Sequence, residues 1–375
     1  MSGTGDRPAH ADAFVPRLRR ALLRWYGRNR RDLPWRNTCD PYAIWVSEIM
    51  LQQTQVATVI PYYERFLERF PDVGGLAAAD EEQVLALWSG LGYYRRARAL
   101  RLGARHVLEH HAGDLPADAE SLRRIPGIGR YTAGAIASTA FGIREPVLDG
   151  NVRRVLSRLH AIDESVRGAA ATERELWTIA GTLVDGPDPG GLNQALMELG
   201  ALVCRPRDPD CPCCPLSALC AARGSGDPTR YPTPRRRAPV RRVRVAVAVL
   251  ERGSSLLLER PGDTSPFRGN WDLPALVLHA TTDGMEALRR ELSRTHTLDV
   301  SVNRPEASAR HGIMQSRLEL EIHRARLRRG RVAGRDSLRW VSRDDIESTA
   351  VSGATRKVLR AIDAPTAGTP LRARR

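Results

Sequence analysis

Two carboxylates stand where acid–base or charge-stabilising chemistry is feasible. Glu48 lies in Ser47-Glu48-Ile49-Met50-Leu51-Gln52-Gln53-Thr54-Gln55-Val56. A glutamic acid partly withdrawn from water has a raised pKa and can donate a proton near neutrality. The plainer reading of the same segment is an exposed first-turn glutamate that caps a helix with Ser47. Asp149 lies in Pro146-Val147-Leu148-Asp149-Gly150-Asn151-Val152-Arg153-Arg154, at the expected start of a helix from Val152. Aspartate is a preferred N-cap there. Gly150 and Asn151 also leave the backbone open to a ligand, and a carboxylate so held can stabilise cationic charge in a transition state.

Four cysteines form the second cluster. Cys204 is followed after six residues by Cys211, after two by Cys214 and after five by Cys220. Cys213 falls inside this loop and Cys39 stands alone. Such clustering reads as a metal site rather than a disulfide framework. Four thiolates enclose either zinc or an iron–sulfur cube, and softness alone does not separate the two. Cys213 could compete with Cys214 as a ligand.

The elements that would position these groups change character along the chain. Amphipathic stretches at Ala13–Arg28, Val46–Phe70, Glu81–Trp88, Arg95–His111, Val152–His160, Thr172–Val184 and Leu192–Val203 make the first part nearly all helical, with helix starts expected at Asp80 and Ser121. Within it, Ile125-Pro126-Gly127-Ile128-Gly129 predicts a tight hairpin between two helices. The second helix then opens with bare amides at Gly127 and Gly129, suited to a phosphate. Residues 223–242 are rich in Gly, Pro and Arg and read as a basic linker. From residue 243 the period shifts. Strands are expected at Val243–Leu250, Ser255–Glu259, Leu298–Val302, Ser316–Leu327 and Leu338–Val341, and helices at Asp283–Arg294 and Ser352–Ile362. Residues 1–12 and 364–375 read as disordered tails.

Bulk properties set the outer bounds. The chain has 375 residues, enough for two cores, and a formal net charge of +15, which suits a polyanionic partner. All but one of its 58 basic residues are arginine, the exception being Lys357. Arginine suits phosphate and base-edge recognition but cannot serve as an amine nucleophile. The best apolar stretch, Val243–Leu250, is interrupted by Arg244 and far short of a membrane span, and the polar N-terminus lacks a signal peptide's apolar stretch, so a cytoplasmic, DNA-associated protein is expected.

Taken together, these segments resemble the MutY family of adenine DNA glycosylases, within the endonuclease III and helix-hairpin-helix superfamily. The resemblance rests on LPWR (Leu33–Arg36), SEIMLQQTQVATVIPYYERF (Ser47–Phe66), WSGLGYYRRAR (Trp88–Arg98), the hairpin, LDGNVRRVL (Leu148–Leu156), NQALMELGALVC (Asn193–Cys204) and the cysteine loop. It covers nearly all of residues 14–220. It implies a multidomain protein: an all-α helix-hairpin-helix glycosylase domain with an iron–sulfur cluster loop at 13–222, the linker at 223–242, and a C-terminal α+β Nudix-like domain at 243–363. The six-two-five spacing resembles that superfamily's [4Fe–4S] loop, with Cys204, Cys211, Cys214 and Cys220 as ligands and Cys213 free.

The resemblance also implies roles. Glu48 is the acid that protonates adenine, and Asp149 steadies the oxocarbenium-like sugar, with Tyr131 and Asn151 supporting it. Arg31, Trp35 and Gln194 line the adenine pocket, while Gln53 and Tyr93 wedge into the duplex. Bifunctional relatives place a strand-cleaving lysine where Tyr131 stands, so the expected product is an intact strand with an abasic site. The expected substrate is double-stranded DNA with adenine opposite 8-oxoguanine or guanine, bound by a monomer. The C-terminal likeness is weaker, resting on Glu259-Arg260-Pro261, Phe267–Pro274 and the last helix. One glutamate in Arg289–Thr295 is too few for the magnesium site of a Nudix hydrolase. The family's Phe-Ser-His turn is replaced by Gln315-Ser316-Arg317, leaving Ser316 and Arg317 to meet the lesion base. The competing functions are an endonuclease III-like or T/G mismatch glycosylase and a non-catalytic DNA-binding redox sensor.

Overall fold

The computed structural model describes residues 9–233, 239–261, 267, 270–279, 281–313, 315–332 and 337–363, with side chains from residue 13 onward. Residues 1–8 of the expected N-terminal tail, the expected C-terminal tail, linker residues 234–238 and the Arg268-Gly269 pair lie outside the described residues, whereas residues 9–12, expected in the disordered tail, open the first helix. The chain divides into two units. One comprises Met1–Ala78 and Ala99–Arg236; the other comprises Ala79–Arg98 and Arg237–Arg375.

In chain order the helices are α1 (Ala9–Asn29), α2 (Pro41–Leu51), α3 (Val56–Arg69), α4 (Val73–Ala78), α5 (Glu81–Trp88), α6 (Arg95–His111), α7 (Ala119–Arg124), α8 (Arg130–Phe141), α9 (Gly150–Leu159), α10 (Glu164–Arg167), α11 (Ala169–Val184), α12 (Pro189–Leu202) and α13 (Ala221–Gly224). The expected stretch Val46–Phe70 is in fact two helices. The break at Gln52–Gln55 puts Gln53 in the left-handed region at φ 58°, a conformation that ends a helix. The expected start at Ser121 also moves. Asp118 is the N-cap, and its carboxylate accepts the Ser121 N–H at 2.8 Å, so α7 begins at Ala119. Asp80 precedes α5 as expected, but its side chain makes no capping bond.

The first unit's core joins α1, α9, α11 and α12 through Leu18, Leu22, Val155, Leu156, Leu176, Leu192 and Leu196, all nearly inaccessible. These leucines and valines recur at three- and four-residue intervals, which turns one stripe of each helix inward. The hairpin α7–α8 depends on Gly127, whose φ is +86°. A Cβ there would also lie 2.9 Å from the Ala99 Cβ.

The second unit is built on a six-stranded mixed sheet, with β1 (Arg241–Arg252), β2 (Ser255–Glu259), β3 (Ala275–Leu278), β4 (Asp299–Ile313), β5 (Ser316–Arg329) and β6 (Leu338–Ser342). The strand order is β4-β5-β1-β2-β6, with β3 paired to β1. β1 is parallel to β5 and antiparallel to β2 and β3. Val245, Val247 and Val249 enter one core while Ala246, Ala248 and Leu250 enter another. Burial on both faces explains why β1 reads as a continuous apolar run. The helices α14 (Gly284–His296) and α15 (Gly353–Asp363) complete the α+β unit.

Two strand expectations need correction. β4 extends eleven residues past Val302, carried through polar sequence by bulges near Pro305. β3 carried too short an alternating signal to be read at all. Substituting Gly127→Ala adds a left-handed alanine and a contact with Ala99, so we expect about 2 kcal/mol lower stability. Urea unfolding that matches wild type would contradict this account of the hairpin.

Candidate active site

Four helices of the first unit bring the expected catalytic groups together. Glu48 is the eighth residue of α2, not a first-turn cap, and the Ser47 hydroxyl donates to the Ile44 carbonyl instead. The reading of Glu48 as an exposed capping residue therefore fails. Its carboxyl keeps a little accessible surface but is packed about by protein, and its pKa rises to about 7. Burial is the main cause, and the nearby Asp149 charge adds to it; a hydrogen bond from Tyr131 and the positive charge of Arg36 oppose it.

Asp149 is the N-cap of α9. Its Oδ1 accepts the Val152 N–H at 2.7 Å, and its Oδ2 accepts the Asn151 side-chain amide at 2.9 Å. Capping and charge stabilisation therefore do not compete, because the cap is what fixes the carboxylate. Burial raises the Asp149 pKa, while those two donors and Arg154 pull it down. Tyr131, in the first turn of α8, is partly buried, and desolvation together with the Glu48 and Asp149 charges beside it holds its phenol well above its usual pKa. It stays protonated, and its hydroxyl also reaches the Met197 sulfur at 3.2 Å.

Sequence reasoning missed the residues behind this first ring. Arg154 donates to the Asn151 Oδ1 at 2.8 Å, to the Gly200 carbonyl at 2.8 Å and to the Cys204 carbonyl at 2.8 Å. The Asn151 amide is thus oriented from behind, with its NH2 turned to Asp149. Helix α12 comes close enough for this because residue 200 is glycine; a Cβ there would sit 2.6 Å from the Asn151 Cβ.

The expected adenine-pocket residues are placed unevenly. Gln194 lies on α12 and accepts the Tyr26 hydroxyl. Trp35 is 7% exposed and packs edge-on against Tyr63, with ring centroids 5.3 Å apart. Arg31 spends its guanidinium on Glu198, at 2.9 and 2.7 Å. Arg36 grips the same carboxylate at 3.0 and 2.9 Å. Burial alone would raise the Glu198 pKa, but the Arg31 and Arg36 hydrogen bonds outweigh it and hold it at about 2. Arg31 is therefore a buttress in this structure. The signal that could have found Glu198 is the four-residue step from Gln194, which puts both on one helical face.

The four cysteines line one pocket with Arg158, Val203, Pro209, Asp210, Ser217, Arg223 and Pro228. Arg158, 2% exposed, ties the loop down. It donates to the Arg205, Pro206 and Tyr231 carbonyls at 2.7, 3.1 and 2.9 Å, and to the Cys204 sulfur at 3.4 Å. Cys213 is exposed and faces Asp210. Among the described residues, no three acidic, histidine or cysteine side chains group round a single ion. Four thiolates lining one pocket are a donor set that a four-iron cube takes, one thiolate to each iron.

The remaining expected contact residues are on the surface. Gln53 is exposed at φ 58°, and Tyr93 is 37% exposed at φ 48°. Left-handed backbone is uncommon for residues of these types and collects at functional sites. Gly129 is the N-cap of α8, and Gly127 and Gly129 are both exposed. In the second unit, Ser316 pairs with Ile313 and Arg241, and Arg317 with Gly312 and Arg242. Successive strand residues point to opposite faces, so these two side chains cannot approach one base from the same side. The α14 glutamates are engaged within their own helix, Glu286 by Arg289 and Arg290, and Glu291 by Arg294.

Residues 46–181 match the HhH-GPD superfamily base excision DNA repair protein family. A Homo sapiens protein named Adenine DNA glycosylase is 36% identical over 97% of this chain and 77% of its own length. The chain belongs to the adenine DNA glycosylases. An Arabidopsis thaliana member of this family is 40% identical over 71% of this chain and 48% of its own length. Among solved structures, a thermostable thymine-DNA glycosylase superposes with a TM-score of 0.53 at 29% identity, covering 57% of this chain and 99% of that one. As a family member the chain is a DNA N-glycosylase acting on DNA, built on the helix-hairpin-helix fold. Among the described residues no helix is long and apolar enough to cross a membrane.

Replacing Glu198 by Gln leaves two arginines competing for a neutral amide. We expect a loss of about 2 kcal/mol, below the figure for a fully buried pair because Arg31 is about a third exposed. Chemical denaturation checks it, and unchanged stability would show that the Arg31–Glu198–Arg36 cluster contributes nothing.

Proposed function

We propose that this adenine DNA glycosylase removes adenine paired with 8-oxoguanine or guanine, by acid-assisted departure of the base without strand cleavage. The observation that carries the reading is the pairing of a Glu48 carboxyl raised to about 7 with an Asp149 carboxylate held by two donors. Neutral adenine is a poor leaving group. A glutamic acid that is still half protonated near pH 7 can protonate a ring nitrogen of the flipped base. Asp149, fixed by Val152 and Asn151, then faces the cationic sugar and stabilises it until water adds. Tyr131 donates towards Glu48 and keeps the two carboxyls in register. It is also no amine, and the chain's sole lysine is Lys357, which argues against Schiff-base strand cleavage.

Outside the chemistry, Gly127 and Gly129 open the α8 amides to a phosphate. Gln53 and Tyr93 fill the gap that base flipping leaves. Trp35, Gln194 and Arg31, the last steadied by Glu198, bound the adenine pocket. Of Ser316 and Arg317, which lie on opposite faces of β5, one reads the opposite base. Cys204, Cys211, Cys214 and Cys220 hold one [4Fe–4S] cluster, which supplies a rigid anchor for the loop they close. A monomer suffices, since every group named lies in one chain.

The test is single-turnover base release from duplexes carrying adenine opposite 8-oxoguanine, guanine or thymine. Wild type should release adenine opposite the first two, with strands breaking only after alkali. Glu48→Gln should be slower by about 10²–10⁴-fold while still binding duplex. The pH profile follows from the two raised pKa values. The reactive form has Glu48 protonated and Asp149 ionised. The rate constant should therefore fall about tenfold per unit above pH 7 as Glu48 loses its proton, and fall again in acid as Asp149 gains one. A profile flat from pH 6 to 9 would remove Glu48 as the acid. For the loop, we expect four irons per chain in wild type and Cys213→Ser, and fewer in Cys214→Ser. The opposite pattern would exchange the roles of Cys213 and Cys214.

A further inference from the structure

The turn that presents Tyr93 is an awkward piece of backbone. Gly90, Gly92 and Tyr93 have φ values of 110°, 70° and 48°. From inside, Arg96 binds the Leu91 and Gly92 carbonyls at 3.4 and 3.3 Å, and its guanidinium lies 5.4 Å from the centre of the Tyr93 ring. The Trp88 indole N–H also donates to the Gly92 carbonyl at 3.1 Å. A left-handed tyrosine is strained, so such a turn persists only when its surroundings over-determine it.

The second set of restraints comes from the C-terminal α+β region, with which residues 79–98 form one unit. The Val351 carbonyl accepts the Ser89 hydroxyl at 2.6 Å and the Tyr94 hydroxyl at 3.3 Å. Those two donors stand on either side of the Gly90–Tyr93 turn, so a single carbonyl closes it. Arg356, on α15, donates its Nε to the Ser89 Oγ at 2.9 Å and so orients that hydroxyl towards Val351. Ser89 is 5% exposed, which leaves little room for water to replace either bond.

Val351 is itself fixed. The Trp271 N–H donates to the Ala350 carbonyl at 2.9 Å and the Ser352 N–H to the Trp271 carbonyl at 3.3 Å. Ser352 caps α15 through the Ala354 and Thr355 amides, at 3.1 and 3.2 Å. The hydroxyls of Ser352 and Thr355 both donate to the fully buried Asp272. A rigid chain of contacts therefore runs from Asp272 through Ser352 and Val351 to Ser89 and Tyr94.

We propose that Arg356 and Ser89 are positioning residues through which the C-terminal domain holds Tyr93 ready to enter the duplex. The C-terminal domain then takes part in base extrusion as well as in reading the opposite base. The inference rests on the assignment of Tyr93 as a wedge.

The experiment compares two duplexes in single-turnover base release by full-length, cluster-loaded enzyme. In one, adenine is paired with 8-oxoguanine; in the other, adenine stands opposite an abasic-site analogue and has no partner to leave. We expect Arg356→Met and Ser89→Ala each to slow the paired substrate about tenfold, to slow the rise of 2-aminopurine fluorescence that reports extrusion, and to leave the unpaired substrate within twofold. Arg356→Lys, which keeps one donor, should recover part of the loss. Neither change should add to the defect of Tyr93→Ala. Equal losses on the two duplexes, or losses that multiply with Tyr93→Ala, would overturn the positioning role and leave the wedge standing. A Tyr93→Ala enzyme as fast as wild type on the paired duplex would overturn the wedge, and the inference with it. If Arg356→Met unfolds, Ser89→Ala, which removes one oxygen, carries the same comparison.

Discussion

Two carboxyl groups in one poorly hydrated space cannot both carry charge at low cost. In this protein that constraint is resolved by giving them different neighbours. Asp149 has a helix amide and the Asn151 side chain as donors, so its anion is compensated. Glu48 has burial and the Asp149 charge beside it, against which the Tyr131 hydrogen bond and the Arg36 charge are too weak, so its proton is retained to about pH 7. The division into an acid and an anion is the condition for glycosidic-bond cleavage near neutrality. Most of the helical unit can be understood as holding that asymmetry in place.

The supports run outward in two directions. Behind Asp149, the Asn151 amide is turned by Arg154, whose other donors fasten it to the Gly200 and Cys204 carbonyls. Because Cys204 opens the cysteine loop, the loop and the carboxylate share one guanidinium. On the other side, Glu198 takes four hydrogen bonds from the guanidinium groups of Arg31 and Arg36. That leaves Arg36 near enough to Glu48 to temper its pKa without neutralising it. Arginine serves here because its planar fork satisfies several acceptors at once, and the near-absence of lysine costs the scaffold nothing. In the α+β unit the same economy recurs, with Asp272 and Ser352 pinning a segment whose single carbonyl gathers Ser89 and Tyr94.

The local chemistry was legible in the chain. The positions of Glu48, Asp149 and the four clustered cysteines stand out by type and spacing, and the Pro126–Gly129 hairpin by its glycines. Most helices were also legible, because a buried stripe imposes a 3.6-residue period on sequence. β1 was legible for the opposite reason: burial on both faces erases the alternation and leaves an unbroken apolar run. Elements without such a period were not. β4 runs through polar residues on an exposed face, and the break at Gln52–Gln55 interrupts a pattern that looks continuous when only apolar positions are counted.

What only the tertiary structure decided is which charges meet. Glu198 looks like any helical glutamate until α12 folds against Arg31 and Arg36, and Arg154 and Arg158 look like a basic helix face until the cysteine loop closes over them. Burial converts Glu48 from an ordinary surface acid into one that still holds its proton near neutrality, and that depends on neighbours far away in the chain. The grouping of residues 79–98 with the C-terminal unit was equally invisible, because the groups that hold Glu82, Ser89 and Tyr94, namely Arg339, the Val351 carbonyl and Arg356, lie 257 to 267 residues further along the chain. Residue types determined the available reactions; the desolvation and pairing that select among them arise only when distant segments pack.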